Sequence, residues 1–518
     1  MKLVLQYVLL LCFFISQCLG RRNVLFLVAD DMRPELEAYR GKNFPAPVSP
    51  KPMHTPNLDK LASRSLLLER AYVQEALCSP SRTSLLTGRR PDTTHVYQIG
   101  PYFRDVGGNF TTLPEYFKLN GYTTVGMGKV FHPGKASGND DPISWTEPYF
   151  HGDFNFESKN KSWEAIPDDW LLHTPLVDQQ IAQHAIETLH KVKDAALSGE
   201  KPFFVAVGFH KPHLPFVFPK SFLNYYPEVQ LPDNPYAPVN MPEVAWYSYG
   251  GLRGYHDIHH LHASGGINTT LPGGTVLLLR RAYYSALSYT DSLIGKVLKE
   301  LDILGLSNNT IVSFWGDHGY QLGEHGEWCK QTNFELATHA PMMIHVPGKT
   351  DKNGKGIKTD QLTEFVDLFP TLVEAAGLRP LPLCPVNSSK VELCREGTSL
   401  MPLIDKPNSP VKLAAFSQYP RKHNEKKYMG YTMRTDRYRY TEWPSFEYAP
   451  VYAPDWDNLA GVELYDHYID PEENVNRAQF TAYRETRAEL HKMLLEGWRN
   501  ASLFYSKPDM ARISVNIN

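Results

Sequence analysis

The chain has 518 residues, of which 42% are hydrophobic and 21% charged, and its formal net charge is -3. That length exceeds one ordinary hydrophobic core and implies a large domain plus a smaller one. The near-neutral balance excludes nucleic-acid binding driven by global charge, so any attraction for an anionic substrate must be local.

Residues 1–20 read as a secretory signal. Lys2 precedes an apolar run over 3–14, and Cys18-Leu19-Gly20 offers a cleavage site. A membrane anchor is the alternative, but the run is short for one, and no later stretch could span a bilayer. Residues 23–29 (NVLFLVA) predict a strand buried on both faces, ending in Asp30-Asp31. Thr55 and Pro56 open a helix with Leu58, Leu61, Ala62 and Leu66 as its apolar face. Residues 78–89 (CSPSRTSLLTGR) predict a loop running into a short helix, with Pro80 in the first turn and Gly88 at the C-cap. Cys78 at such an N-terminus, with Arg82 one turn on, favours a thiolate or a bound anion.

A helix over 112–120 and a strand over 122–127 lead to Lys129 and His132. Residues 133–173 lack a period and predict a long loop over the site face. A helix over 176–193 precedes a second buried strand at 202–208, which runs into His210-Lys211-Pro212-His213. Residues 215–270 are again irregular. A helix over 276–304 precedes a third buried strand at 310–315, ending in Gly316-Asp317-His318. A strand at 341–346 and a helix at 368–376 follow. Beyond about residue 405 the pattern changes: 428–443 and 463–467 predict strands of a small antiparallel sheet, with a helix over 483–498 packed on it.

Alternating buried strands and amphipathic helices give an α/β class, a large mostly parallel sheet sandwiched by helices, with a smaller C-terminal α+β domain. The division is a signal at 1–20, a catalytic domain at 21–409 and a C-terminal domain at 410–518. In open α/β sheets ligands bind outside the carboxyl ends of the strands, and those ends carry the polar residues here. The carboxylates of Asp30, Asp31 and Asp317 suit a hard cation, Ca²⁺ or Mg²⁺, while His318 leaves room for Zn²⁺ or Mn²⁺. Taken singly, either pair would serve equally to cap a turn. His256, His259, His260 and His262 lack metal-ligand spacing and read as an exposed loop. His213 and His325 read as structural or as supporting residues behind the site.

Cys78, Cys329, Cys384 and Cys394 remain after the signal. Cys384 and Cys394 are close in sequence and predict a disulfide. Cys78 pairs with Cys329 or serves chemistry, and a pair would remove it from the site. Sequons begin at Asn109, Asn160, Asn268, Asn308, Asn387 and Asn500.

The pattern Cys-x-Pro-Ser-Arg-x-x-x-x-Thr-Gly at 78–88 resembles the signature of type I sulfatases, in which the cysteine is oxidised during synthesis to the aldehyde formylglycine. With GKVFHPG, GFHKPHLPF, GDHGYQLGEHGEWCK and CREG, the chain is similar to the lysosomal branch of that family that removes 2-O-sulfate from iduronate units of heparan sulfate and dermatan sulfate. The resemblance implies the alkaline phosphatase/sulfatase-like fold. It implies one calcium per chain, held by Asp30, Asp31, Asp317, His318 and the modified Cys78. It also implies catalytic roles for Cys78, Arg82, Lys129, His132, His210 and Lys330, with Lys129, His210, Lys330 and Tyr320 touching substrate. A hydrated formylglycine, a gem-diol, would be the nucleophile. The implied partners are a sulfated glycosaminoglycan and the formylglycine-generating enzyme, with no nucleic acid and no membrane span. The implied location is lysosomal or secreted. Tyr320 stands where that branch has Trp, Gly316 where it has Ser, and a second disulfide of the middle loop has no cysteines here. Another sugar specificity, a metal-dependent phosphoesterase and a non-catalytic secreted glycan-binding protein are the alternatives.

Overall fold

The computed structural model describes residues 21–41 and 52–503; the signal at 1–20 lies outside them. The main sheet has seven strands: β1 (Asn23–Ala29), β2 (Leu66–Tyr72), β3 (Thr123–Gly128), β4 (Phe203–Phe209), β5 (Thr310–Gly316), β6 (Met342–His345) and β7 (Ile357–Glu364). Their order is β7-β2-β6-β5-β1-β4-β3. Only β6 runs antiparallel to its neighbours, so the other six carboxyl ends share one edge. β1 lies between β5 and β4, which puts its end at the middle of that edge.

Helices cover both faces: α1 (Pro56–Ala62), α2 (Cys78–Thr87), α3 (Leu113–Leu119), α4 (Val177–Leu197), α5 (Gly273–Ile303) and α6 (Leu368–Ala375). Alternate β1 side chains divide between two cores. Leu25 and Leu27 pack with Ile181 and Leu189 of α4 and Leu279 and Leu287 of α5. Val24, Phe26 and Val28 pack with Leu85 of α2, Phe117 of α3 and Leu372 of α6. This two-sided burial is why β1, β4 and β5 are continuous apolar runs.

The sequence reading departs from the structure in several places. Leu66 does not extend α1: the helix stops at Ala62, and Leu66 opens β2. Its spacing suited a helix face, but short apolar runs fit either period. β7 (IKTDQLTE) escaped notice because it is a polar edge strand, bulged between Thr359 and Leu362. Within the irregular segments 133–173 and 215–270, Trp163–Ile166 pairs in parallel with Phe216–Pro219. The C-terminal sheet has four antiparallel strands: β8 (Ala415–His423), β9 (Lys426–Arg434), β10 (Tyr438–Glu447) and β11 (Ala453–Asp466). The run 428–443 is therefore two strands separated by a turn. α7 (Arg484–Ala501) packs on this sheet through Leu490 and Leu494.

Cys384 and Cys394 form a disulfide, and Cys78 and Cys329 are both free and buried. All six sequon asparagines are exposed, as are His256, His259, His260 and His262. No helix among the described residues is long and apolar enough to cross a membrane.

Several buried carboxyls make the fold pH-sensitive. Glu327 is fully buried, its Oε1 accepts the Tyr247 N–H at 2.8 Å, and burial pushes its pKa up to about 8. Burial likewise pushes Asp178 and Glu463 up to about 7. Each stays protonated in the fold while the unfolded chain is ionised, so stability falls as pH rises toward the folded pKa. Buried histidines act in the opposite sense at lower pH, since burial holds His132 and His339 down at about 4. Above their ordinary value of about 6.5 that opposition ends. Between about pH 6.5 and 8, Glu327 alone therefore removes roughly 2 kcal/mol. Thermal unfolding should give a Tm several degrees lower at pH 8 than at pH 6.5, with Glu327→Gln narrowing the gap. A flat or rising Tm contradicts this.

Candidate active site

Four strand ends and one helix start meet at the middle of the sheet edge. β1 ends in Asp30 and Asp31, and Asp31 takes a left-handed φ of 61° that Asp tolerates. Its N–H donates to Asp317 Oδ1 at 2.9 Å, tying the ends of β1 and β5 together. Gly316, just before Asp317, has no room for a side chain: a Cβ there would lie 2.5 Å from the Met32 carbonyl oxygen. Lys129 follows β3, where Gly128 and Gly208 let two strand ends approach; its N–H donates to the Gly208 carbonyl at 2.8 Å. A Cβ on Gly128 would meet that carbonyl at 2.0 Å.

Cys78 is the first residue of α2, and Gly88 closes the helix with φ 65°. Its Sγ lies 3.5 Å from Asp30 Oδ1 and 3.4 Å from His318 Nε2. His318 Nδ1 donates to the Gly319 carbonyl at 2.8 Å, which turns Nε2 into the site, 3.4 Å from Asp31 Oδ1 and 3.6 Å from Asp317 Oδ2. The thiolate expected from the helix N-terminus is not favoured. Burial and Asp30 push the Cys78 thiol well up, and the charge of Arg82 is spent on two carboxylates. Arg82 Nε donates to Asp317 Oδ2 at 2.9 Å and its Nη2 to Asp30 Oδ1 at 3.1 Å, both inside a fully buried cluster.

Lys129 pairs with Asp30, and Lys330 Nζ reaches both oxygens of Asp31 at 2.5 and 2.7 Å. Burial alone would raise Asp30, but Lys129, His213 and Arg82 hold it well below the carboxylate range. Asp31 remains raised by burial and by Asp30 and Asp317, against Lys330. Lys330 is flanked by left-handed backbone at Cys329 (φ 71°) and Gln331 (φ 77°), which fixes its direction.

The floor is therefore acidic and buried, and the rim is histidine. His132, His210 and His213 are half-buried around it. His132 Nδ1 donates to the Pro133 carbonyl at 3.1 Å, and burial together with Lys129 holds the ring down at about 4. The backbone N–H groups of His210 and Lys211 both donate to Asp178, each at 2.8 Å. The His210 ring meets Phe154 edge-on at 4.8 Å, and burial and Lys129 hold its pKa well below the usual value.

Tyr320, expected against the substrate, is only 1% exposed. It stacks on Tyr283 at 5.2 Å and its hydroxyl donates to Cys329 Sγ at 3.4 Å. Its ring lies 5.9 Å from Lys330 Nζ, so it backs that lysine and presents no face to a sugar.

Two residues escaped the sequence reading. His213, set aside as structural or supporting, turns back through its N–H to the His210 carbonyl and brings Nε2 to 4.0 Å from Asp31. Two histidines flanking Lys-Pro after a buried strand were its only signal. Asp178 is visible as an acidic first-turn residue of α4, but its partners lie 32 and 33 positions away.

Two overlapping donor groups, Asp30-Asp31-Cys78-His213 and Asp30-Cys78-Asp317-His318, each hold their ligand atoms within 4.8 Å. Three converging carboxylates, one raised by burial and by the repulsion of the others, fit a hard divalent cation. The third such cluster, Glu335-His467-Glu473, is already paired with Arg439 and fits one less well.

A family model described as Sulfatase matches residues 22–378, and one described as N-sulphoglucosamine sulphohydrolase, C-terminal, matches 323–500. The chain is 39% identical to iduronate 2-sulfatase of Mus musculus over 88% of its length and 90% of that protein. Identity to the Homo sapiens protein of that name is also 39%, with the same coverage. Among solved structures, one described as a 2-O GAG sulfatase matches with a TM-score of 0.63 at 20% identity, covering 92% of this chain and 91% of that one. A phosphonate monoester hydrolase of Agrobacterium radiobacter matches at 0.65 and 20%, covering 92% and 95%. At such identity these structures speak for the fold alone.

Proposed function

The chain belongs to the sulfatase family, and from that premise we propose that it removes the 2-O-sulfate from iduronate units of heparan sulfate and dermatan sulfate. The observation that carries this reading is the 39% identity to two iduronate 2-sulfatases along nearly the whole chain. It is supported by Lys129 and Lys330, which stand at the site on Asp30 and Asp31 and are the groups this reading turns toward the sulfate and the carboxylate of the substrate.

Cys78 is 1% exposed in the fold, so its oxidation by a formylglycine-generating enzyme precedes folding. The hydrated aldehyde supplies two hydroxyls, one to attack sulfur and one whose collapse releases sulfate; a serine or a thiol lacks the second. Asp30, Asp31, Asp317 and His318 would hold calcium, which supplies positive charge beside the sulfate oxygens and the nucleophile. Arg82 holds Asp30 and Asp317 in place. His132, kept neutral with Nε2 free to accept, takes the proton of the second hydroxyl. His210 is the donor to the departing sugar oxygen, once the substrate's negative charge raises its depressed pKa. Lys330, whose Nζ is held on both oxygens of Asp31, is the other candidate donor. A non-catalytic glycan-binding role is disfavoured because all of these side chains converge. The signal segment, the disulfide, the exposed sequons and the acid-favouring buried carboxyls support a lysosomal or secreted location.

A panel of purified sulfated disaccharides, with and without the uronate carboxylate, tests the specificity. Lys330→Ala should lower kcat/KM on 2-sulfated uronates roughly tenfold to a hundredfold, as expected for one charge-assisted contact, and far less on a small aryl sulfate. Equal turnover of carboxylate-free 6-sulfated hexosamines by the wild type moves the reading to another sugar.

A further inference from the structure

A cleft of about 380 Å³ opens between the segment around His95 and Tyr97 and the tips of the C-terminal sheet. That size falls within the range of about 300–1,000 Å³ usual for small-ligand sites. Its cations are Arg421, Lys422 and Lys427, and no carboxylate is among its lining residues. Its aromatic rings are Tyr97, Tyr448 and Tyr452.

The hairpin that forms one wall breaks a rule of sheet design. β8 and β9 join at Asn424 and Glu425, both with positive φ, and the register sets Lys422 directly opposite Lys427. Like charges directly opposed across two strands destabilise the pairing. Glu425 answers only Lys422, at 2.7 Å and in solvent, while Lys427 Nζ sits 5.1 Å over the Tyr448 ring. An anion held in the cleft relieves this repulsion, and a local conflict of this kind in a cleft points to a ligand. The half-buried rings of Tyr448 and Tyr452 line it, Tyr452 stacked on His95 at 3.8 Å and Tyr448 held edge-on by the buried Tyr97 at 5.8 Å.

The cleft is also bonded to the active site. Arg421 Nη2 donates to the Gln331 carbonyl at 2.8 Å, and the Gln331 N–H donates to the Ala76 carbonyl at 3.1 Å. Gln331 follows Lys330, and Ala76 lies two residues before Cys78. Resting on the reading of the site as a glycan sulfatase, we infer that this cleft is a subsite for a further anionic sugar of the chain whose sulfated residue lies at Cys78. The enzyme then grips an oligosaccharide across both its sheets, and gains rate from chain length.

The test pairs the wild type with a Lys422→Ala/Lys427→Ala variant, whose two positions are exposed and outside the catalytic groups. On a size-defined heparan-type hexasaccharide, kcat/KM should fall roughly tenfold, with the rate on a small aryl sulfate unchanged. No change on the hexasaccharide, or a parallel loss on both substrates, overturns the subsite. Binding of the hexasaccharide, followed by calorimetry, separates this from failure of the iduronate reading. Weaker binding by the variant supports the subsite even if no iduronate sulfate is cleaved, and equal binding overturns it. Equal affinity of the wild type for a single-stranded oligonucleotide of the same charge also overturns the sugar assignment.

Discussion

Replacing Cys78 by alanine should lower sulfatase turnover by at least about a thousandfold, the scale on which loss of a nucleophile is felt in other hydrolases. The fold should barely change. The side chain starts α2, where alanine is well tolerated, and its only polar contacts are the long ones from Sγ to Asp30 and His318. A Tm within a few degrees of wild type alongside lost turnover is the expected pair. The companion measurement is the mass of the tryptic peptide covering 71–82. Conversion of Cys78 to formylglycine lowers it by about 18 Da. Activity of Cys78→Ala within tenfold of wild type would sink the assignment, as would an active enzyme whose peptide carries an unmodified thiol.

The second large effect belongs to Asp317→Asn. Asp317 accepts from the Asp31 N–H and from Arg82 Nε, both at 2.9 Å, and its Oδ2 lies 3.6 Å from His318 Nε2. An asparagine of the same shape keeps only one acceptor. Its amide then faces either Asp31 N–H or Arg82 with a donor, and Arg82 is left buried with one carboxylate fewer. Bound metal and turnover should fall together, turnover by at least about a hundredfold, since even supporting partners of metal ligands carry tenfold to a hundredfold effects. Elemental analysis beside kinetics reads both. Full metal occupancy in the variant counts against placing the metal at these residues.

The parts of the site legible in the sequence were those whose physics is local. A run such as NVLFLVA announces a strand buried on both faces, and an acidic pair at its end announces a strand-end site. Pro80 and Gly88 bracket α2 by backbone preference alone, which placed Cys78 at a helix start. The polar edge strand β7 and the start of β2 were not legible, because an edge needs no apolar pattern and a short leucine run fits either period.

The sequence by itself determined the α/β class and the carboxylates at the ends of β1 and β5, since these follow from periodicity, caps and spacing within a few residues; the sulfatase motif was legible there too, by its resemblance to a known signature. Only the tertiary structure decided what those groups do to one another. It showed Arg82 spent on Asp30 and Asp317, the Cys78 thiol raised by burial beside carboxylates, and His213 turned over Asp31. It also moved Tyr320 behind Lys330 and set Lys422 against Lys427 across a hairpin. Burial and Coulomb interaction depend on distances between groups far apart in the chain, 299 positions for Lys330 and Asp31. Such separations exist only once the sheet has brought its strand ends to one edge.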